Sequence, residues 1–142
     1  AKGNVADMKI TVLVGLPGSG KSYLANQLIE DREDVIFLDD ISILGIDELK
    51  KTIEVHGWAD IIISDVFLCR EKERSIAERW FKKNASNYEV EWIYFENAAN
   101  KCYANVQRRN ANGDCRKVGE LIRDLAKEYV IPEGVEVKAV FG

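Results

Sequence analysis

A glycine-rich segment that ends in lysine and serine, Gly15–Ser22, carries the clearest chemistry in this sequence. It reads G-L-P-G-S-G-K-S, follows an apolar run typical of a strand and opens a segment of helical period. Its glycines allow a tight turn with inward-facing backbone N–H groups, and a helix N-terminus adds partial positive charge. We therefore predict a phosphate-binding loop made by Gly15, Pro17, Gly18, Ser19, Gly20, Lys21 and Ser22.

The last two residues of this loop predict a nucleotide triphosphate with a metal ion. Lys21 can reach the β- and γ-phosphates, and the Ser22 hydroxyl can ligate a Mg²⁺ ion that bridges the same oxygens. A glycine-rich turn that binds nothing is the alternative, but such a turn has no need of lysine and serine at these offsets. We expect ATP and Mg²⁺ as cofactors and Lys21 as a catalytic residue.

Carboxylates follow two further strand-like runs. Asp39 and Asp40 end the second run, and Asp65 follows the third, Ile61–Ser64. In an open parallel sheet these positions line the ligand crevice. Asp39 is our candidate general base for an acceptor hydroxyl, and we expect Asp40 to cap the next helix. Asp65 is a candidate metal ligand, acting directly or through water, and the cap of a following helix is its alternative.

A basic pair and a polar stretch suggest a short lid. Arg108 and Arg109 close a helical segment and are followed by a flexible segment, 110–117. Arginines on such a lid can offset charge on a transferring phosphoryl group, and Arg109 and Arg116 are our candidates, with Arg109 also contacting the nucleotide. A basic residue that complements a helix dipole, or one that is only solvated, is the alternative.

The elements that must position these residues are strands and helices in alternation. This alternation predicts an α/β fold with a parallel sheet covered on both faces, in the order 2-3-1-4-5. The predicted strands are Lys9–Val14, Val35–Leu38, Ile61–Ser64, Val90–Phe95 and Val135–Val140. The predicted helices are Lys21–Asp31, Ile46–His56, Arg70–Asn84, Ala98–Arg109 and Lys117–Tyr129.

Length and composition are those of one globular unit. We expect residues 8–142 to form a single domain and residues 1–7 to be a loose arm or a remnant outside it. No apolar run approaches the ~20 residues of a membrane helix. Three scattered cysteines and one histidine predict neither a disulfide framework nor a zinc site, and favour a reducing cytoplasm. The net charge of −4 argues against an extended polyanion-binding surface.

Taken together, these motifs resemble the kinase domain of phage polynucleotide kinase. The resemblance rests on Gly15–Ser22, Phe37–Asp40, Ile62–Asp65 and Gln107–Asn110, continues through Tyr88–Glu96, and covers most of Met8–Tyr129. It implies a P-loop kinase fold that transfers the γ-phosphoryl group of ATP to the 5′-hydroxyl of a nucleic acid. It also implies that Asp39 is the general base and that Asp65 lines the acceptor site and meets a lid arginine. We add Arg70 as a further predicted contact of the acceptor, at the opening of the same site.

The chain also departs from that family's pattern. The family has an arginine shortly after its Asp-Asp pair, where this chain has Ile41-Ser42-Ile43. Two other functions stay open. One is a kinase for a nucleoside, nucleotide or other small hydroxyl-bearing metabolite, which shares the five-stranded core and is compatible with the acidic net charge, and the other is a nucleotide-binding module without transferase activity. A GTPase is not indicated, because the chain contains neither D-x-x-G nor N-K-x-D.

Overall fold

A five-stranded parallel sheet forms the centre of the molecule. The computed structural model describes residues 8–39, 46–57, 59–110 and 113–140. The strand order is β2-β3-β1-β4-β5, and the pairs that make up the sheet are parallel, as predicted. The strands are β1 (Met8–Val14), β2 (Val35–Asp39), β3 (Asp60–Ser64), β4 (Tyr88–Phe95) and β5 (Val137–Lys138).

Helices cover the sheet at the places that the hydrophobic periodicity predicts. They are α1 (Lys21–Ile29), α2 (Ile46–Val55), α3 (Glu71–Asn84), α4 (Ala99–Arg109) and α5 (Arg116–Glu128), with a 3-10 turn at Val66–Cys69. Successive side chains of a strand point to opposite faces, so β1 contributes to two apolar clusters. Val12 and Val14 lie in the larger cluster with residues of α4 and α5, whereas Leu13 packs in the smaller one with Ala25 of α1.

Two elements are shorter than their sequence patterns suggest. Helix α1 stops at Ile29 rather than Asp31, because Asp31 has a left-handed backbone with φ of 64°. Strand β5 spans only Val137–Lys138 instead of the predicted Val135–Val140, and its register partners are Tyr94 and Phe95 at the end of β4. The backbone N–H of Val140 instead donates to the side chain of Glu96.

The central position of β1 places the glycine-rich loop in the middle of the sheet's carboxyl edge. Strand β1 lies between β3 and β4, and the loop follows directly after Val14. Parallel strands end on the same side, so the ends of β2 and β3 reach this edge too. The register pairs Asp39 with Ser64 there.

A buried tyrosine hydroxyl supports the sheet at the base of that loop. Tyr129, which follows α5 and is only 4% exposed, directs its Oη to the carbonyl oxygens of Val14 at 3.2 Å and Phe95 at 2.5 Å. Burial raises the pKa of this hydroxyl above its usual range, so it stays a neutral donor. It joins the carboxyl ends of β1 and β4, immediately before the loop begins.

Replacement of Tyr129 by phenylalanine is expected to lower the free energy of unfolding by about 1–3 kcal/mol, because buried carbonyls lose their donor while the ring is retained. Urea denaturation followed by circular dichroism measures the change. Tyr23→Phe is the control, since this hydroxyl accepts from Gln27 at the surface and its loss should cost less than about 0.5 kcal/mol. Equal effects of the two substitutions would contradict the structural role of Tyr129.

Candidate active site

The glycine-rich loop is packed so closely that Gly18 accepts no side chain. Gly18 has φ of 84°, and a Cβ there would lie 2.4 Å from the carbonyl oxygen of Cys102 and 2.9 Å from Val106. Gly20, with φ of 108°, precedes the first residue of α1 in the left-handed region. Glycine is therefore required by backbone geometry at Gly20 and by both geometry and contact with α4 at Gly18.

Lys21 lies inside the loop that it ends. It is 8% exposed, and its ammonium donates to the carbonyl oxygens of Gly15 at 2.8 Å and Leu16 at 2.9 Å. The hydroxyl of Ser19 lies 3.4 Å from the same nitrogen. These partners are neutral oxygen acceptors, and a phosphate oxygen would make a stronger, charge-assisted bond with the ammonium.

The loop opens into a cavity of about 700 Å³. Its size is that of a small-molecule site. Three regions of the fold supply its walls: the loop with the start of α1, the end of β2 with the 3-10 turn that follows β3, and the last turns of α4. The lining residues are Pro17, Gly18, Gly20, Lys21, Ser22, Tyr23, Asp39, Val66, Asn105, Arg108 and Arg109.

Asp39 lies at this cavity because it is the last residue of β2. Its carboxylate Oδ1 accepts a hydrogen bond from Ser64 Oγ at 2.5 Å. The structure thus brings the predicted base to the same cavity as Lys21. Asp40, which we predict to cap a helix, lies outside the described residues.

Two arginines at the end of α4 form the wall supplied by that helix. Arg108 and Arg109 occupy its last turn, and both line the cavity. Arg108 donates to the side-chain oxygen of Asn105, whose amide donates to the carbonyl of Gly18 at 2.9 Å. Helix α4 is thereby tied to the glycine-rich loop, and the predicted lid arginine Arg109 is brought to the phosphate-binding region.

Two other predicted basic residues are not brought to the cavity. Arg116 begins α5 and forms an ion pair with Asp114 at 2.9 Å, with its side chain 85% exposed. Arg70 pairs with Glu128 at 2.9 Å and stacks on the ring of Phe67. Neither is among the described residues that line the cavity, so their placement differs from the predicted contacts with the nucleotide and the acceptor.

Asp65 takes the position that we named as its alternative. It is 2% exposed, and its Oδ1 accepts from the backbone N–H of Phe67 at 2.8 Å, which caps the 3-10 turn. The residue after it, Val66, lines the cavity, whereas Asp65 is not among the lining residues that the structure describes. Asp65 therefore lies behind the cavity wall.

Two thiols lie close to the loop and remain neutral. Burial raises the pKa of Cys69 to about 12 and that of Cys102 to about 11, although the Lys21 ammonium lowers both in part. Because a protonated thiol is a weak nucleophile, these side chains act as packing beneath the loop.

In the described ranges, no three or more histidine, cysteine, aspartate or glutamate side chains gather into a metal-binding group. Nor does any described helix have the length and apolar character needed to cross a membrane.

Three cavity residues escaped the sequence interpretation: Tyr23, Val66 and Asn105. Asn105 is four residues before Arg109 and so lies on the same helical face, a signal that the spacing contained. Tyr23 directly follows the glycine-rich motif. Val66 carries no chemical signal, because one apolar residue after a strand is common.

Comparison with known proteins identifies the fold but no family, since no family model matches this chain. An uncharacterized protein, R277, of Acanthamoeba polyphaga mimivirus is 26% identical over 140 residues, which cover 95% of this chain and 99% of that protein.

Two solved structures are similar throughout the chain. A gluconokinase from Sinorhizobium meliloti 1021 superposes with a TM-score of 0.58 at 12% identity, over 96% of this chain and 83% of the other. The protein APE1195 superposes with a TM-score of 0.55 at 20% identity, over 96% of this chain and 87% of the other. The strand order and the likeness to gluconokinase together show that this chain has the P-loop kinase fold.

Proposed function

We propose that this protein is a kinase that transfers the γ-phosphoryl group of ATP to an acceptor hydroxyl. The observation that carries the proposal is that Lys21 of the glycine-rich loop and Asp39 of the neighbouring strand end line one cavity. A module that only binds nucleotide needs Lys21 but needs no carboxylate to take up a proton from an acceptor hydroxyl. Phosphoryl transfer needs both, because the acceptor hydroxyl must be held in line and lose its proton.

Each wall of the cavity has a task in this reaction. When ATP binds, the Lys21 ammonium replaces its hydrogen bonds to the loop carbonyls by bonds to β- and γ-phosphate oxygens, whose charge it stabilises. Asp39 accepts the proton of the acceptor hydroxyl. Arg108 and Arg109 face the transferring group from α4, where their guanidinium groups offset developing charge. Arg108 joins Arg109 in this proposal, whereas Arg116 would have to leave Asp114 to take part.

The residues present fit a magnesium ion shared with the nucleotide. Ser22 is exposed to the cavity, and its hydroxyl is a hard oxygen ligand of the kind that Mg²⁺ accepts. Bound Mg²⁺ would neutralise phosphate charge. Asp65 lies behind the cavity wall and caps a turn through Oδ1, so we propose that it does not ligate the ion directly and influences it only through water.

For the acceptor we propose the 5′-hydroxyl of a nucleic acid, in keeping with the resemblance to polynucleotide kinase. Arg108 and Arg109 supply two cations at the cavity, enough for a few phosphates. A small-molecule acceptor is the second candidate. It is favoured because Arg70 and Arg116 form ion pairs with Glu128 and Asp114 and so add no positive charge at the cavity for a nucleic acid. The gluconokinase of the same fold is in accord with this second candidate.

The test is a transfer assay with radiolabelled ATP and Mg²⁺. The acceptors are 5′-hydroxyl oligonucleotides, the same oligonucleotides already 5′-phosphorylated, nucleosides and sugar acids. We expect label on the 5′-hydroxyl oligonucleotides only. Label on a nucleoside or sugar acid alone would favour the small-molecule kinase, and ATP binding without any transfer would favour the binding module.

If the acceptor is a nucleic acid, its binding should depend weakly on salt. With about two phosphates neutralised on a single strand, log K should fall with a slope near −1.4 against log salt. Fluorescence anisotropy of a labelled oligonucleotide over a range of salt concentrations measures the slope. A slope several times steeper would contradict a contact confined to Arg108 and Arg109 and would require an extended basic surface.

A further inference from the structure

Ser64 is held against the proposed base by the geometry of the sheet. It is the last residue of β3, its register partner is Asp39, and it is 0% exposed. Its Oγ lies 2.5 Å from Oδ1 of Asp39, within the range of an O–H···O⁻ bond to an ionised carboxylate. A carboxylate has no proton to give, so the serine hydroxyl is the donor.

We infer that Ser64 is a positioning residue that orients the Asp39 carboxylate toward the acceptor hydroxyl, an inference that rests on the proposed function. Asp39 is exposed at the cavity, and its hydrogen bond from Ser64 limits the rotamers in which its side chain can keep that contact. Ser64 is excluded from water and is fixed at the end of β3, where it pairs with Leu13 of β1 on one side and Asp39 of β2 on the other. A rigid buried donor thus constrains an exposed catalytic group, and a misplacement of about 1 Å can lower a rate ~10²-fold.

The proposed step balances without a change at Ser64. The acceptor oxygen forms a bond to the γ-phosphorus and passes its proton to the Asp39 carboxylate. The bond between the γ-phosphorus and the β–γ bridging oxygen breaks, and its electron pair stays with ADP. Ser64 keeps its proton throughout, so it acts only through Asp39.

The experiment is a double-mutant cycle of Ser64→Ala and Asp39→Ala, with kcat and the KM for ATP measured for the full chain. Ser64→Ala should lower kcat by ~10–10²-fold and leave the KM for ATP nearly unchanged. In the Asp39→Ala background it should have almost no further effect, because the group that it orients is absent. Ser86→Ala, the same chemical change at an exposed position before β4, should leave kcat and the KM for ATP of each background unchanged.

Two measurements separate this role from simple support of the sheet. NMR of the unmodified chain should show a slowly exchanging Ser64 hydroxyl proton that Asp39→Ala removes, and its absence would overturn the hydrogen bond. Urea denaturation shows whether Ser64→Ala is folded under the assay conditions. If the chain is active and the kcat losses of Ser64→Ala and Asp39→Ala multiply independently in the double variant, the positioning role of Ser64 is overturned while the proposed function stands. A chain that transfers no phosphoryl group to any acceptor overturns the proposed function and this role with it.

Discussion

Replacement of Lys21 by alanine is expected to abolish phosphoryl transfer and to weaken ATP binding. The ammonium is the cation that the glycine-rich loop carries within its own turn, where it already donates to two loop carbonyls. Removal of one preorganised charge contact to a transition state lowers kcat by ~10²–10³-fold, and here the ground-state contact to the phosphates is lost as well. Steady-state kinetics and calorimetric titration with ATP measure the two effects separately.

A second variant keeps the result interpretable if the loop depends on Lys21 for its shape. Lys21→Gln retains a donor for the carbonyls of Gly15 and Leu16 but carries no charge, so it should fold normally and still fail in transfer. Lys83→Ala removes an exposed lysine on α3, away from the cavity, and should behave like the unmodified chain. Undiminished turnover in Lys21→Ala would contradict the proposed phosphate site itself.

Replacement of Asp39 by asparagine is expected to lower kcat by ~10²–10⁴-fold with little change in ATP affinity. The substitution preserves the size of the side chain and leaves an oxygen that can still accept from Ser64, but it removes the group that takes up the proton. The loss should therefore fall on kcat and on kcat/KM together, as for an interaction made only in the transition state. Single-turnover transfer to the acceptor identified in the screen, together with ATP titration, measures both quantities.

Asp40→Asn is the matched comparison, because it makes the same change one residue later, at a position that we predict to be a helix cap. Its effect on kcat should be much smaller, and its effect on stability should be small as well, because asparagine caps a helix about as well as aspartate does. A reversal of the two effects would move the base from Asp39 to Asp40. Equal and small effects would instead favour the binding module without transferase activity.

Much of the fold could be predicted from the sequence because local and non-local signals agree. Valine- and isoleucine-rich runs that alternate with helical periods leave few arrangements, since parallel crossovers are right-handed and connections do not cross. The strand order 2-3-1-4-5 and the placement of Gly15–Ser22 after the central strand are confirmed. The same logic puts Asp39 at the carboxyl edge, because its position depends only on where β2 ends.

The sequence alone was insufficient to predict the partners of side chains at the ends of elements and on the connections between them. Arginine is a long side chain whose partner depends on which carboxylate the folded chain brings within reach. Arg109 reaches the cavity, whereas Arg70 and Arg116 pair with Glu128 and Asp114. In the sequence, all three are solvated basic residues near a polar segment.

The sequence by itself therefore determined the chemistry of the loop and the order of the strands, because glycine conformation, hydrophobic period and chain handedness act locally or through simple topology. Tertiary structure alone decided which side chains meet. It buried Asp65 as a turn cap, set Ser64 beside Asp39 through the β2–β3 register, and tied Asn105 to Gly18 across 87 residues. Such contacts join residues that are far apart in the chain, and their geometry follows only from the packing of whole elements.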